Sequence, residues 1–238
     1  QAEWVEAKWI DSLDAYDRQT MQAQIPNISC RVQLPNYFYI PSDLYYTYGP
    51  ILSREIINKG KMAALNEALG EYKRTGLTNL PTSEQIYSSE KYFANERYDV
   101  IEIADVEISN FELIDEGTIG SLDIVYLLQD TIGPIPAITA AVGIGGGSWK
   151  DYVDPSGNLV MTVKISGDTS EDLDEIYDAY ILWGDTQKRF TEVVEQYNGV
   201  IYKGSTNVWI SKQNGFVKMV LSQDLNIIDE ISSQLGDL

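Results

Sequence analysis

The chain has 238 residues, with 36 acidic side chains against 17 basic ones, a formal charge of −19 and no histidine. That charge repels nucleic acid and anionic membrane surfaces, and the missing imidazole removes the usual proton shuttle near neutral pH and the commonest metal ligand. With 44% hydrophobic residues the chain still has enough apolar side chain for a core, as one large domain or two small ones.

The segment from Ala2 to Ala23 predicts a long N-terminal amphipathic helix. Val5, Trp9, Leu13 and Tyr16 make one stripe, Ile10 lies beside it, and Pro26 ends it. The chain begins at Gln1 rather than Met, which suggests a trimmed product whose N-terminal leader or anchor has been removed. Residues 28–34 read as a short strand. Asn27-Ile28-Ser29 is a glycosylation sequon. Cys30 is the only cysteine, so no internal disulfide forms, no zinc site can be built around it, and it has no histidine base; an inert thiol is expected. Tyr37 to Ile40, with Tyr45, Tyr46 and Tyr48, is the densest aromatic cluster, either a stacking platform for a flat ligand or a loop pinned by its rings. Residues 51–74 predict a helix entered through Pro50, with Ile56, Ala63, Leu65 and Leu69 apolar and Gly76 as its cap. Thr82 to Ala94 predicts a shorter helix capped by Thr82 or Ser83.

Period-two patterning then takes over from Asp99 to Asp115, and its phase slips at Ala104-Asp105 and at Ser109-Asn110. Glu116-Gly117 reads as a turn and Ser121 to Gln129 as the next strand of a hairpin or meander. Residues 131–149 carry no charge, and their glycines and prolines argue against a membrane helix. The segment reads as a strand and turn covering the core, a buried pocket wall, or an exposed insertion loop. Asp154 to Asn158 is a turn, and Leu159, Met161, Val163 and Ile165 line one face of the strand after it. Asp168 and Thr169 open a helix read as far as Tyr197, with Gly184 as a point of close packing. Residues 199–203, 207–212 and 216–222 are strands, the last two joined by Asn214-Gly215, with Ile210 opposite Met219 and Val208 opposite Leu221. That pairing gives one apolar face, to be covered by the 169–197 helix, and a second face carrying Trp209, Ser211 and Lys218. A last helix runs over 225–235.

The expected fold is α+β: an antiparallel sheet of meanders and hairpins with helices packed mainly on one face, behind a long N-terminal amphipathic helix. Residues 1–238 read as a single domain with a weak sub-boundary near 76–98.

No residue set announces chemistry, so no catalytic, cofactor-binding or metal-ligating residue is assigned. Gly143 to Ser148 lacks the Lys-Ser/Thr ending of a phosphate loop. Asp168, Ser170, Asp172 and Asp174 resemble an EF-hand start, but Leu173 stands where glycine is required and Ala179 where the bidentate glutamate belongs. Asp154, Ser156 and Asn158 fail the same test, so no cofactor is expected, with calcium at surface carboxylates left open. Ser88 and Lys91 have the spacing of a serine–lysine pair on what reads as a solvated helix, a coincidence.

The functional expectation is a non-enzymatic, extracytoplasmic surface or structural protein of a cell envelope, filament or virion. It acts through binding or assembly, with a protein partner or copies of itself, and no nucleic acid. No segment is apolar enough to span a bilayer. The alternatives are an extracytoplasmic sensor domain for a small ligand and a carboxylate-based glycoside hydrolase.

Overall fold

The computed structural model describes residues 8–24, 44–75 and 81–236. The 28–34 strand, Asn27, Cys30, the Tyr37–Ile40 run, the Gly76 cap and the start of the first helix lie outside those residues. The chain divides into two compact units, Gln1–Asn95 and Glu96–Leu238, and the division falls within the 76–98 interval.

In the first unit the expected long N-terminal helix is not continuous among the described residues. A helical stretch over 8–12 stops at Leu13-Asp14, and a new helix, α1, runs Ala15–Gln24. The break has a local cause: the Asp14 carboxylate accepts from the Asp17 N–H at 2.8 Å, an N-cap in mid-stripe. Trp9 and Tyr16 of the expected stripe are exposed. Helix α2, Gly49–Thr75, follows a π-helical turn at Leu44–Tyr48 and is interrupted at Gly60 and Lys61, the latter at φ 58°. The segment read as one helix over 82–94 is two, α3 (Ser83–Tyr87) and α4 (Ser89–Ala94), separated by extended Ser88. Thr82 caps α3 reciprocally with Gln85, each side chain accepting from the other's backbone N–H at 3.1 Å. Leu52, Ile56 and Leu65 form this unit's small core with Ile86, Tyr92 and Phe93, while Ala63 and Leu69 are exposed.

The second unit is α+β. Seven antiparallel strands lie in the order β1-β2-β3-β7-β6-β5-β4. They are β1 (Glu112–Thr118), β2 (Ile144–Val153), β3 (Leu159–Gly167), β4 (Glu192–Gln196), β5 (Gly199–Lys203), β6 (Asn207–Gln213) and β7 (Phe216–Ser222). Helices α5 (Ser121–Ile132), α6 (Pro134–Val142) and α7 (Ser170–Thr186) bury one face of this sheet, and α8 (Leu225–Gly236) lies on the other.

Three assignments change. Residues 121–129 are helical, not a strand. The apolar run at 122 and 124–128 satisfies both periods, and the start signal decides: the Asp123 carboxylate accepts from the Gly120 N–H at 2.8 Å, which places Leu122, Val125 and Leu128 on one buried helix face. Glu116-Gly117 is not a turn but the interior of β1. Gly117 lies opposite Trp149, and an added Cβ would sit 2.8 Å from the indole, so the glycine is where the ring packs. The helix opened by Thr169 ends at Thr186, and residues 192–196 are strand β4. Val194 and Tyr197 fit the helical period by chance. Tyr197 and Asn198, at φ 53° and 52°, form the tight turn into β5.

The uncharged 131–149 segment is the last two residues of α5, then α6, then the first half of β2. Its prolines fall in the first turn of α6, where a missing N–H costs nothing. Its glycines admit neighbours: a Cβ on Gly146 would sit 2.2 Å from the Asp99 carbonyl oxygen. Residues 96–111 cross the sheet as an irregular strap. The strand expected from Asp99 begins only at Glu112. Over 99–111 the apolar positions Ile103, Val106 and Ile108 are buried without strand pairing, and the exposed pairs Ala104-Asp105 and Ser109-Asn110 fall at the two phase slips. Asn214-Gly215 forms the β6–β7 turn at φ 53° and 81°, with Ile210 opposite Met219 and Val208 opposite Leu221. Gly184 lies against Tyr202, whose ring an added Cβ would meet at 2.4 Å.

Candidate functional site

Alternation along antiparallel strands sends every second side chain to the same face, and register decides which ones meet. On the α5–α7 side the meeting side chains are apolar: Val163, Ile165, Val208, Ile210, Val217 and Met219 pack against Ile124, Leu128, Ile176 and Tyr180. The opposite face, expected to stay polar around Trp209, Ser211 and Lys218, is covered. Trp209 and Ser211 are fully buried and Lys218 is 2% exposed. Val160, Ile201, Trp209 and Val220 pack there against Ile228 and Ile231 of α8 and Val106 and Ile108 of the strap.

Across this second face runs one rung without an apolar side chain. Thr118 pairs with Ser148, Ser148 with Lys164, Lys164 with Lys218, and Lys218 with Ser211. The rung crosses five strands, with two lysines directly opposite each other at its centre. Like charges so placed repel. Lys218 Nζ donates to the Leu235 carbonyl at 2.5 Å, at the C-terminal end of α8, where a cation suits the helix dipole. Lys164 Nζ donates to the Glu102 carbonyl at 3.2 Å and lies 4.3 Å from the Phe216 ring centre. Neither amine forms an ion pair with a carboxylate among the described residues. Burial, and then repulsion from Lys164, push the Lys218 amine below the ordinary lysine range. The hydroxyl oxygens of Ser148 and Ser211 are buried and make no hydrogen bond among the described residues.

A cavity of about 300 Å³ opens onto both amines, bounded by Ile103 and Ala104 of the strap, Val163 and Leu235. A second cavity of about 500 Å³ lies on the other side of the same strap residues, lined by Glu116, Ser148, Trp149 and Lys150. There the lysine has anionic partners: Lys150 pairs with Asp105 at 2.5 Å and with Glu116 at 3.7 Å, and the hydrogen bond it donates to Asp105 holds its amine above the ordinary range. One rung away the same residue type has anionic partners; in the Lys164–Lys218 rung it has only neutral carbonyls. In chemical terms two lysines of the central rung line a hole without an anionic partner among the described residues, an arrangement suited to a small anion.

The residues tested for other chemistry are occupied. Gly143 to Ser148 enters strand β2. Asp168 and Thr169 precede α7, where the Thr169 hydroxyl accepts from the Asp172 N–H, and Asp174 pairs with Lys212. The Asp154 carboxylate accepts from the backbone of Ser156 and Asn158 and from the Asn158 amide, bonds that hold it below the usual carboxylate range. Lys91 is paired with Glu84 at 2.6 Å. None of the five rung residues was singled out by sequence reasoning as a ligand contact. The available signal was Trp209: a tryptophan beside Ser211 and Lys218 in a central strand implies a cover on that side, and hence burial of the lysine.

No protein-family model matches this chain, and neither do any curated proteins or solved structures.

Proposed function

We propose that the chain is a non-catalytic, extracytoplasmic binding protein whose second unit holds a small anion between Lys164 and Lys218. The observation that carries this reading is the facing pair of lysines, one of them almost fully buried, on a cavity and without a carboxylate partner among the described residues, in a chain of charge −19. A buried cation without a counter-ion is costly, and a ligand carboxylate or phosphate would supply one. The buried Ser148 and Ser211 hydroxyls extend the donor set along the rung. The acidic surface would discourage anions everywhere else, so selectivity would rest on this one place.

Calorimetric titration with propionate, oxalate and inorganic phosphate tests the reading. At least one of them should bind, and Lys164→Met or Lys218→Met should weaken binding by about tenfold or more, since a charged hydrogen bond contributes about 1.5–3 kcal/mol. Absence of binding by all three, or binding that survives both substitutions, overturns it.

A second reading, assembly with a protein partner or with other copies, is favoured by a different observation. Ile135 and Ile138 of α6, Leu127 of α5 and Leu182 of α7 are exposed apolar side chains, with Ile135 at 77%. Light scattering over a concentration series, with and without calcium, should show a mass increase that Ile135→Glu removes; a constant mass in both conditions would count against self-assembly.

A further inference from the structure

The two amines of the central rung are not equivalent, and their difference points past simple anion binding. Lys218 is 2% exposed, lies opposite a cation, and its nitrogen has one contact among the described residues, the Leu235 carbonyl. A neutral amine can make that contact with one N–H and keep its lone pair free. Lys164 is less buried and contacts the Glu102 carbonyl and the Phe216 face. A lysine desolvated beside a second cationic group is an activated nucleophile toward carbonyl carbon.

We propose that Lys218 forms a reversible imine with a small carbonyl compound bearing a carboxylate, which Lys164 anchors. This rests on the anion-binding reading and names the chemical class of its ligand. The carboxylate would meet Lys164 Nζ, leaving the adjacent carbonyl carbon toward Lys218 Nζ. The nitrogen lone pair forms the C–N bond and the carbonyl π pair moves to oxygen. Both amine hydrogens then leave with that oxygen as water, and the C=N bond replaces C=O with no oxidation or reduction. The cavity of about 300 Å³ has room for a 2-oxo acid of a few carbons. Depression of the Lys218 amine raises its neutral fraction near neutral pH, in the direction the step needs.

The test uses the full chain, glyoxylate as probe, and borohydride to trap the imine as a stable secondary amine located by peptide mass mapping. The expected result is a carboxymethyl adduct at Lys218 forming faster than at any exposed lysine, in the direction that a desolvated amine beside a second lysine implies. Lys218→Arg should lose that adduct and keep the rest. Lys164→Gln should slow labelling at Lys218 while leaving the melting curve close to that of the parent. Propionate, which has no carbonyl to trap, should protect Lys218 competitively. Labelling spread over surface lysines in proportion to exposure, with Lys218 unmodified, overturns the imine. If propionate or oxalate still binds in that case, only this inference falls; if nothing binds, the anion reading falls with it.

Discussion

The two faces of the seven-stranded sheet are built from the same strands and finished differently. One face lies under three helices and closes over a continuous apolar core from Ile119 to Met219, with Ile165, Ile176, Ile210 and Val217 fully buried. The other lies under α8 and the irregular strap 96–111. It keeps an apolar half around Trp209 and Val220 and a polar rung at Lys164 and Lys218 with a cavity over it. Helices cover a sheet with self-satisfied backbones and regular ridges; a strap of extended chain fits less closely and leaves space. The first face is a closed apolar core, and on the anion-binding reading proposed above the second would give up some stability to keep two amines enclosed.

If that contrast is right, apolar replacement of a rung lysine should differ in sign from truncation in the three-helix core. The largest effect is expected from Ile165→Ala on the three-helix side, at a residue with no exposure. It should cost about 3 kcal/mol, read as a fall in urea midpoint at constant slope. A loss below about 1 kcal/mol would mean that this core is loose and the contrast unfounded. Next is Gly146→Ala. The added Cβ would meet the Asp99 carbonyl, which is backbone and cannot swing aside, so strand and strap must separate. A cost of about 2 kcal/mol is expected, together with weaker anion binding, because the same strap closes the cavity. Intact binding in this variant would show that the strap does not shape the site.

Lys218→Met should act in the opposite direction. Methionine fills a similar volume, removes a buried cation opposite Lys164 and gives up one hydrogen bond to the Leu235 carbonyl. A gain of about 1 kcal/mol in stability with loss of anion binding is expected, the signature of a residue kept for function. The pH dependence has a definite sign. The folded-state amine lies below its ordinary 10.5, so between those two values the unfolded chain binds more protons. The parent's stability should therefore rise relative to Lys218→Met as pH climbs through the depressed value toward 10.5. A difference that is flat with pH would place the amine in water.

How far this was legible in the sequence depends on the range of the determining forces. The β6–β7 register was readable because Asn214-Gly215 accepts two left-handed residues in a row, a constraint that is entirely local. The strap's buried positions were readable from its apolar pattern, but its strand assignment was not, since residues 99–111 form no strand. Residues 121–132 were misread because a nearly unbroken apolar run carries both periods, and only Asp123 reaching back to Gly120 selects the helix. Strand β4 was misread because Val194 and Tyr197 extend the α7 stripe, whereas the left-handed pair Tyr197-Asn198 carries no glycine to announce itself. The candidate site was hidden for a different reason. Lys164, Lys218 and Ser148 come from three strands, and only the order β2-β3-β7 sets them side by side. Each alone reads as a solvated residue.

The smallest effect tests whether the three-helix side is apolar to its edge. Asp151 projects on that side near the rim of the sheet, opposite Asp115 of β1 and Met161 of β3. Partial burial, and then repulsion from Asp115, hold its carboxyl above the ordinary 3.8. A carboxyl raised on folding binds its proton more tightly in the native state. Its charge therefore costs stability above the folded value, and the cost fades as pH falls through that value toward 3.8. Asp151→Asn should stabilise the chain by a few tenths of a kcal/mol at neutral pH, roughly the limit for a half-exposed site. The advantage should shrink to nothing near pH 4, measured as the difference between the two urea midpoints. An asparagine variant that is less stable at neutral pH would mean that Asp151 is held by a partner the carboxylate needs, and the apolar face would then end short of β1.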